Sequence, residues 1–192
     1  NIFNHIEIST DSEKIIEIGK QYDIKVSHKR PERLSGSQVG KWNVWQNCLQ
    51  NYYKHQKKEI DLFVDLDCTC PMRSIEDIKG TIKTYLSNNV DAVFSISESR
   101  KNPYFNMVEY QEGKLVYSKR KEPIILCRQN APKVYDHVAS VYAIKPSYLI
   151  NQSGLLKGNT IGYLVPQERG LDIDTELDFE ICQFLHQRSN NV

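Results

Sequence analysis

The pattern that most constrains the fold is a strand, a helix and a second strand in immediate succession between residues 60 and 97. An apolar run over residues 60–66 ends in acidic residues and predicts a buried strand. Ser74 and Asp77 have the spacing of a capping box, and apolar residues follow at helical spacing. Residues 91–97 predict the next strand. This alternation indicates a Rossmann-like α/β fold of three layers, in which helices cover both faces of a mainly parallel sheet.

Such sheets bind ligands at the carboxyl ends of their strands. The loop over residues 67–73 directly follows the first of these strands, so the sequence predicts that this loop lies at the functional site.

A second candidate site is an acidic stretch near the end of the chain. Asp172 and Asp174 are separated by one apolar residue, and an extended backbone places both carboxylates on one face. Two neighbouring carboxylates resist joint ionisation unless a cation lies between them. Their oxygens suit Mg²⁺, which takes one or two carboxylates together with substrate phosphates. Thr175 and Asp178 form a capping box, so the alternative is a charged loop that only caps the last helix.

Composition excludes several other classes of protein. The net charge of +1 argues against a nucleic-acid binder, which needs a basic surface. No apolar run approaches the length of a membrane span, and the first residues of the sequence do not have the pattern of a signal peptide. Scattered cysteines in such a chain are typical of reduced thiols in the cytoplasm. These cysteines are Cys48, Cys68, Cys70, Cys127 and Cys182.

Other segments add to the predicted fold. Four residues that recur at helical spacing form either a stacking platform or a buried helix face; they are Trp42, Trp45, Leu49 and Tyr52. Residues 104–117 predict a β-hairpin. Further strands are predicted at residues 5–9, 24–26, 138–144 and 160–166, with helices that begin at a Thr10–Glu13 capping box and at Pro146.

Four motifs, in a fixed order, carry a resemblance to a known family. They lie at residues 8–12 with 30–35, at 65–73, at 128–129 with 141–142, and at 172–178. The sequence resembles the acylneuraminate cytidylyltransferases, the CMP-sialic acid synthetase family, over nearly its whole length. The last motif, Asp-Ile-Asp-Thr-Glu-Leu-Asp, matches the family's pattern outright.

The resemblance implies a fold and an activity. It implies that residues 1–192 form a single nucleotidyltransferase domain, of the fold found in nucleotide-diphospho-sugar transferases. It also implies a small β-rich dimerisation insert and a sugar-binding subregion within residues 103–150. Members of the family transfer CMP from CTP to the anomeric hydroxyl of a nine-carbon 2-keto sugar acid and release pyrophosphate. They are typically homodimers, and the hairpin region of one chain reaches the site of the other.

The resemblance also implies roles for individual residues. Asp172 and Asp174 would be the catalytic pair that holds Mg²⁺ on the phosphates. Arg128 and Gln129 would face the sugar acid, whose carboxylate suits an arginine fork; a surface ion pair is the alternative for Arg128. The remaining substrate-binding residues would be Asp67, Thr69, Arg73 and Tyr142.

Two of these residues have other interpretations. The alternative for Arg73 is an ion pair with Asp67 or Glu76 near the start of a helix. Asp65 and Asp67 form an Asp-x-Asp pattern, which binds a divalent ion in related nucleotide-sugar enzymes and, taken alone, would fit a glycosyltransferase. The alternative for Asp67 is a hydrogen bond to amides of its own loop.

The sequence also departs from the family's pattern. The family begins with a strand and a basic, glycine-containing loop that cradles the triphosphate, whereas this chain begins near the family's second strand. We therefore expect an N-terminally incomplete chain, with a nucleotide- or sugar-binding module without turnover as the alternative. Residues 102–107 and Val138 favour a legionaminic- or pseudaminic-type sugar over sialic acid itself.

Overall fold

The computed structural model describes residues 2–24, 26 and 28–190. The α-helices are α1 (Glu13–Gln21), α2 (Lys41–Gln56), α3 (Ile75–Leu86), α4 (Pro146–Asn151) and α5 (Glu176–Asn190). The strands are β1 (Phe63–Leu66), β2 (Ala92–Glu98), β3 (Val108–Gln111), β4 (Lys114–Tyr117), β5 (Tyr135–Ile144) and β6 (Thr160–Leu164). Short 3₁₀ helices lie at Glu32–Leu34, Arg128–Asn130, Leu155–Lys157 and Gln167–Arg169.

Four of the strands form a mixed, mostly parallel sheet in the order β1-β5-β2-β6. Consecutive strands are not neighbours in this order, so helices and loops cross over between them, as the alternation of strand and helix predicts. Strands β3 and β4 form a separate antiparallel hairpin, in which Val108 pairs with Tyr117 and Gln111 pairs with Lys114. The predicted hairpin is thereby confirmed.

The chain divides into two compact units. The first contains residues 1–65, 82–93 and 142–161, and its core includes one face of α2. Trp42, Trp45 and Leu49 are buried on that face, whereas Tyr52 is half-buried. The ring centroids of Trp45 and Tyr142 are 4.8 Å apart. The indole nitrogen of Trp42 donates a hydrogen bond to the Gln152 carbonyl, 2.7 Å away. The tryptophans therefore form a buried helix face and not a stacking platform.

The second unit contains residues 66–81, 94–141 and 162–192. Cys70, Val138 and Val165 form a buried apolar cluster, and Tyr163 packs against it. This cluster brings together the loop after β1, strand β5 and the segment after β6. All the predicted site residues except Tyr142 belong to this unit.

The beginning of the chain differs from its prediction. Residues 5–9 contain a single bridge residue, Glu7, instead of a strand. Of the two apolar residues in the alternating pattern, Ile6 is exposed and Ile8 is half-buried. Helix α1 is capped by Ser12, whose hydroxyl accepts from the Ile15 amide at 3.5 Å, and not by Thr10. The strand predicted at residues 24–26 includes Lys25, which lies outside the described residues.

Helices long and apolar enough to cross a membrane are absent from the part of the chain that the structure describes.

Candidate active site

The loop after β1 is held by its own hydrogen bonds. A carboxylate oxygen of Asp67 accepts from the Thr69 hydroxyl at 3.2 Å and from the Thr69 amide at 3.5 Å. The Asp67 amide donates to the Ser140 carbonyl on β5 at 3.1 Å. Asp67 therefore makes hydrogen bonds to its own loop, which is the alternative to metal binding that its sequence position allows.

Arg73 ties the same loop to β5. Its guanidinium donates to the backbone carbonyl of Asp67 at 2.5 Å and to that of Ser140 at 3.3 Å. In both contacts Arg73 binds a backbone carbonyl, so its guanidinium holds the loop after β1 against β5. The roles of Asp67, Thr69 and Arg73 as substrate ligands stay predictions.

The acidic loop, residues 170–175 between the 3₁₀ helix Gln167–Arg169 and α5, is attached to the loop after β1. The Ile173 amide donates to the Thr69 carbonyl at 2.8 Å, so Asp172 and Asp174 flank a fixed backbone position. Gly170 lies so close to Val138 that a Cβ atom there would be 2.9 Å from a methyl group of that valine. A larger residue at this position would have to displace the valine side chain. Glycine therefore allows the acidic loop to lie directly against β5.

The two carboxylates of the acidic pair differ in environment. Asp172 is half-buried, and its Oδ1 atom is buried without a hydrogen-bond partner among the described residues, whereas Asp174 is exposed. A buried carboxylate oxygen that lacks a donor is costly unless a cation or another donor reaches it. Asp172 therefore fits a divalent cation.

A larger cluster of metal ligands is not found there. Within residues 2–24, 26 and 28–190, groups of three or more His, Cys, Asp or Glu side chains that could hold a metal ion are absent.

The predicted capping box at the start of α5 is confirmed. The Asp178 carboxylate accepts from the Thr175 hydroxyl at 2.6 Å and from the Thr175 amide at 2.8 Å. It also accepts from the Asp174 amide at 3.3 Å. The hydrogen bond from the Thr175 hydroxyl, followed by that from the Thr175 amide, lowers the pKa of Asp178 below its ordinary value of 3.8.

This pKa shift predicts how the stability difference between the wild type and Asp178→Asn varies with pH. A carboxyl whose pKa is lowered on folding stabilises the protein above its unfolded pKa, and this contribution is lost as the pH falls through the folded pKa. In urea unfolding, we expect the stability advantage of the wild type over Asp178→Asn to shrink between about pH 5 and pH 3. Glu180→Gln, in the same helix, is the control. An advantage that does not change with pH would contradict the prediction.

Three residues without a predicted role at the site, Cys70, Asp77 and Arg169, make contacts at the start of the acidic loop. The Asp77 carboxylate, fully buried, receives two hydrogen bonds from the Arg169 guanidinium, with Nε–Oδ2 at 2.9 Å and Nη2–Oδ1 at 3.0 Å. The Arg169 carbonyl accepts from the Cys70 thiol at 3.4 Å. Burial raises the pKa of Cys70, so this thiol remains protonated and able to donate.

Arg128 lies at a separate cavity of about 200 Å³ in the same unit. Its lining consists of Glu98, Ser99, Asn102, Arg128, Ala131, Pro132, Lys133, Val134 and Tyr135. The amide group of Asn102 donates to the Pro132 carbonyl at 2.9 Å and fixes one wall. The Glu98 carbonyl accepts from the side chain of Gln167 at 2.5 Å, and Gln167 belongs to the 3₁₀ helix just before the acidic loop.

Gln129 and Tyr142 are placed differently from Arg128. Gln129 is exposed in the 3₁₀ helix Arg128–Asn130 and does not line that cavity. Tyr142 is 4% exposed in the first unit, where the Lys41 amino group lies 5.1 Å from its ring centroid. The structure thus describes Tyr142 as a core residue, and its contact with substrate stays a prediction.

Comparison with known proteins identifies relatives of the whole chain. The chain is 36% identical over 189 residues to post-translational flagellin modification protein B of Campylobacter coli. It has the same identity, over the same length, to CMP-N,N'-diacetyllegionaminic acid synthase of Campylobacter jejuni. In both cases the match covers 98% of this chain and 80% of the relative.

A solved structure supports the fold independently. The chain resembles CMP:2-keto-3-deoxy-manno-octonic acid synthetase complexed with CTP, with a TM-score of 0.66 and 15% identity. The match covers 96% of this chain and 81% of that protein, and it confirms the predicted nucleotidyltransferase fold. No protein-family model matches the chain. The relatives at 36% identity over nearly the whole chain, together with the motif at residues 172–178, show that it belongs to the acylneuraminate cytidylyltransferase family.

Proposed function

We propose that this protein transfers CMP from CTP to the anomeric hydroxyl of a nonulosonic acid. The hydroxyl oxygen attacks the α-phosphorus, a new P–O bond forms, the bond to the β-phosphate bridging oxygen breaks, and pyrophosphate and a proton are released. Membership of the family supports this reaction. The observation that carries it is the buried Asp172 oxygen without a hydrogen-bond partner, in a loop attached to the loop after β1.

Asp172 and Asp174 are the residues that would hold a divalent cation, which we propose is Mg²⁺. When bound, such an ion offsets the charge of the phosphates and of the departing pyrophosphate. The chain itself supplies the position of the two carboxylates, because the Ile173 amide between them is bonded to Thr69. Repulsion between phosphate and carboxylate oxygens makes binding of CTP dependent on that cation.

The sugar acid would bind at the Arg128 cavity. Its carboxylate fits the planar guanidinium, which can donate two parallel hydrogen bonds. Lys133 adds a second positive charge, and Asn102 adds polar groups able to bind hydroxyl or acetamido substituents. Gln129 lies next to Arg128 in sequence and extends this surface in the proposal.

The sugar that we propose is a legionaminic acid. One relative at 36% identity is named for the synthesis of CMP-N,N'-diacetyllegionaminic acid. Departures of this sequence from the sialic acid enzymes at residues 102–107 and at Val138 agree with that choice. Pseudaminic and sialic acids are the competing substrates.

We also propose a homodimer in the cytoplasm. The hairpin exposes apolar and aromatic side chains, among them Val108, Tyr110 and Leu115, which are 54%, 76% and 60% exposed. Patches of this kind mark protein interfaces, and a second copy of the chain would cover them. All five cysteines are free, which suits a reducing compartment.

Pyrophosphate release tests the function directly. The protein is incubated with CTP, Mg²⁺ and, in separate reactions, legionaminic, pseudaminic and sialic acids. We expect release with legionaminic acid above all, and none when EDTA replaces Mg²⁺. Sugar binding by calorimetry without release from any of the three acids would overturn the proposal in favour of a binding module.

A further inference from the structure

The buried carboxylate of Asp77 accepts two kinds of hydrogen bond. Its Oδ2 atom accepts from the Ser74 amide at 2.9 Å and from the Ser74 hydroxyl at 3.1 Å, and these bonds cap α3. The same atom accepts from the Arg169 Nε atom at 2.9 Å, while Oδ1 accepts from Arg169 Nη2 at 3.0 Å. A helix cap needs only the first set, so the ion pair with Arg169 requires a separate explanation.

The two members of the ion pair are buried to different degrees. The Asp77 side chain is 1% exposed and the Arg169 side chain is 38% exposed. An isolated buried carboxylate is strongly unfavourable, so Arg169 has no low-energy alternative position that leaves Asp77 without a cation. The bidentate geometry also fixes the orientation of the guanidinium plane, which a lysine could not do.

Arg169 immediately precedes the acidic loop. Its side chain is bound to Asp77, and its carbonyl accepts from the Cys70 thiol. Four residues later, the Ile173 amide is bonded to Thr69. The segment that contains Asp172 is therefore held by hydrogen bonds at both ends, at Arg169 and at Ile173. Between these two positions, the Asp172 Oδ1 atom is buried and has no hydrogen-bond partner among the described residues.

We propose that Asp77 and Arg169 are positioning residues that hold the acidic loop in the geometry needed to bind a divalent cation. The inference rests on the proposed function, because it gives the acidic pair its role. Neither residue touches the substrate; both act through the backbone of residues 170–173. Loss of the bidentate pair releases one fastening and lets Asp172 depart from its position, while α3 keeps its cap.

The test compares Arg169→Lys with Ser74→Ala. Arg169→Lys keeps the charge beside Asp77 but removes the second hydrogen bond and the fixed plane. Ser74→Ala weakens the cap of α3 through the same carboxylate but leaves the Arg169 contacts intact, so it is the matched control. Arg169→Gln, which also removes the positive charge, is measured together with them. If Arg169→Gln does not fold, the result for Arg169→Lys alone decides the test.

Two readouts are used that do not depend on turnover. Hydrogen–deuterium exchange follows the Ile173 amide, and titration with Mn²⁺ alone, monitored by paramagnetic resonance, gives the affinity for a divalent cation. In Arg169→Lys we expect exchange at Ile173 to be about 10-fold faster and the Mn²⁺ dissociation constant to rise about 10-fold, as for groups that orient metal ligands. In Ser74→Ala both values stay within about twofold of the wild type, although thermal stability falls.

A purely structural pair would give a different result. If the Arg169 variants lower thermal stability but leave both readouts within about twofold of the wild type, the inference is overturned. Pyrophosphate release is recorded for the same proteins. If the wild type releases none with any sugar acid, the proposed function fails, while exchange at Ile173 and Mn²⁺ binding still decide whether the pair positions the loop.

Discussion

Replacement of Asp174 by asparagine is expected to lower kcat/KM for pyrophosphate release by about 100- to 1000-fold. This is the range found when a group that stabilises charge in a transition state is removed. The amide keeps the size of the side chain but has no negative charge, so the cation loses one of its proposed protein ligands. Asp174 is exposed, so the thermal midpoint should change little. Steady-state kinetics at saturating Mg²⁺ measures the effect.

Glu176→Gln provides the matched control for this substitution. Glu176 is also exposed and lies two residues after Asp174, in the first turn of α5. Its replacement by glutamine therefore removes one nearby negative charge without removing a proposed ligand. We expect kcat/KM within about twofold of the wild type, as for surface charges outside a site. Similar losses in both variants would mean that local negative charge matters and that Asp174 is not a cation ligand.

The second large effect is expected for Arg128→Ala. Loss of a charge-assisted, bidentate contact should raise KM for the sugar acid about 10- to 100-fold, while KM for CTP stays within about twofold. Arg128 is exposed, so we expect the protein to remain folded. Kinetics with each substrate varied in turn separates the two constants.

Arg120→Ala is the control for Arg128. Arg120 is an exposed arginine that does not line the cavity, so its removal changes the net charge by the same amount. An equal rise in KM in both variants would indicate general electrostatic attraction of the anionic sugar. A rise for CTP rather than for the sugar acid would assign Arg128 to the nucleotide.

Local patterns predicted most of the fold because each of them is set by neighbouring residues. The capping boxes at Ser74 and Thr175 are satisfied within three residues, and both are present. The spacing of Trp42 and Trp45 predicted a helix, with a buried face as one of two interpretations, and both side chains are buried. At the start of α1 two hydroxyl residues competed, and the cap formed at Ser12 while the Thr10 hydroxyl accepts from the Ser12 amide.

The site was predicted less completely because its parts lie far apart in the sequence. Asp172 and Asp174 were proposed as the acidic pair of the site from their own alternation with apolar residues. The contact between Asp77 and Arg169 joins positions 92 residues apart, and no periodicity connects them. The capping carboxylate belongs to an aspartate in both α3 and α5, so the capping box of α3 gives no sign of the ion pair with Arg169.

The shared carboxylate of Asp77 also limits how the sequence can evolve. A change at Asp77 removes the cap of α3 and leaves Arg169 without its partner, whereas a change at Arg169 leaves a buried charge. Each single step is costly, while a paired exchange for two apolar residues avoids the buried charge. In an alignment of many relatives, we therefore expect the two positions to vary together, and the residues around them to vary independently.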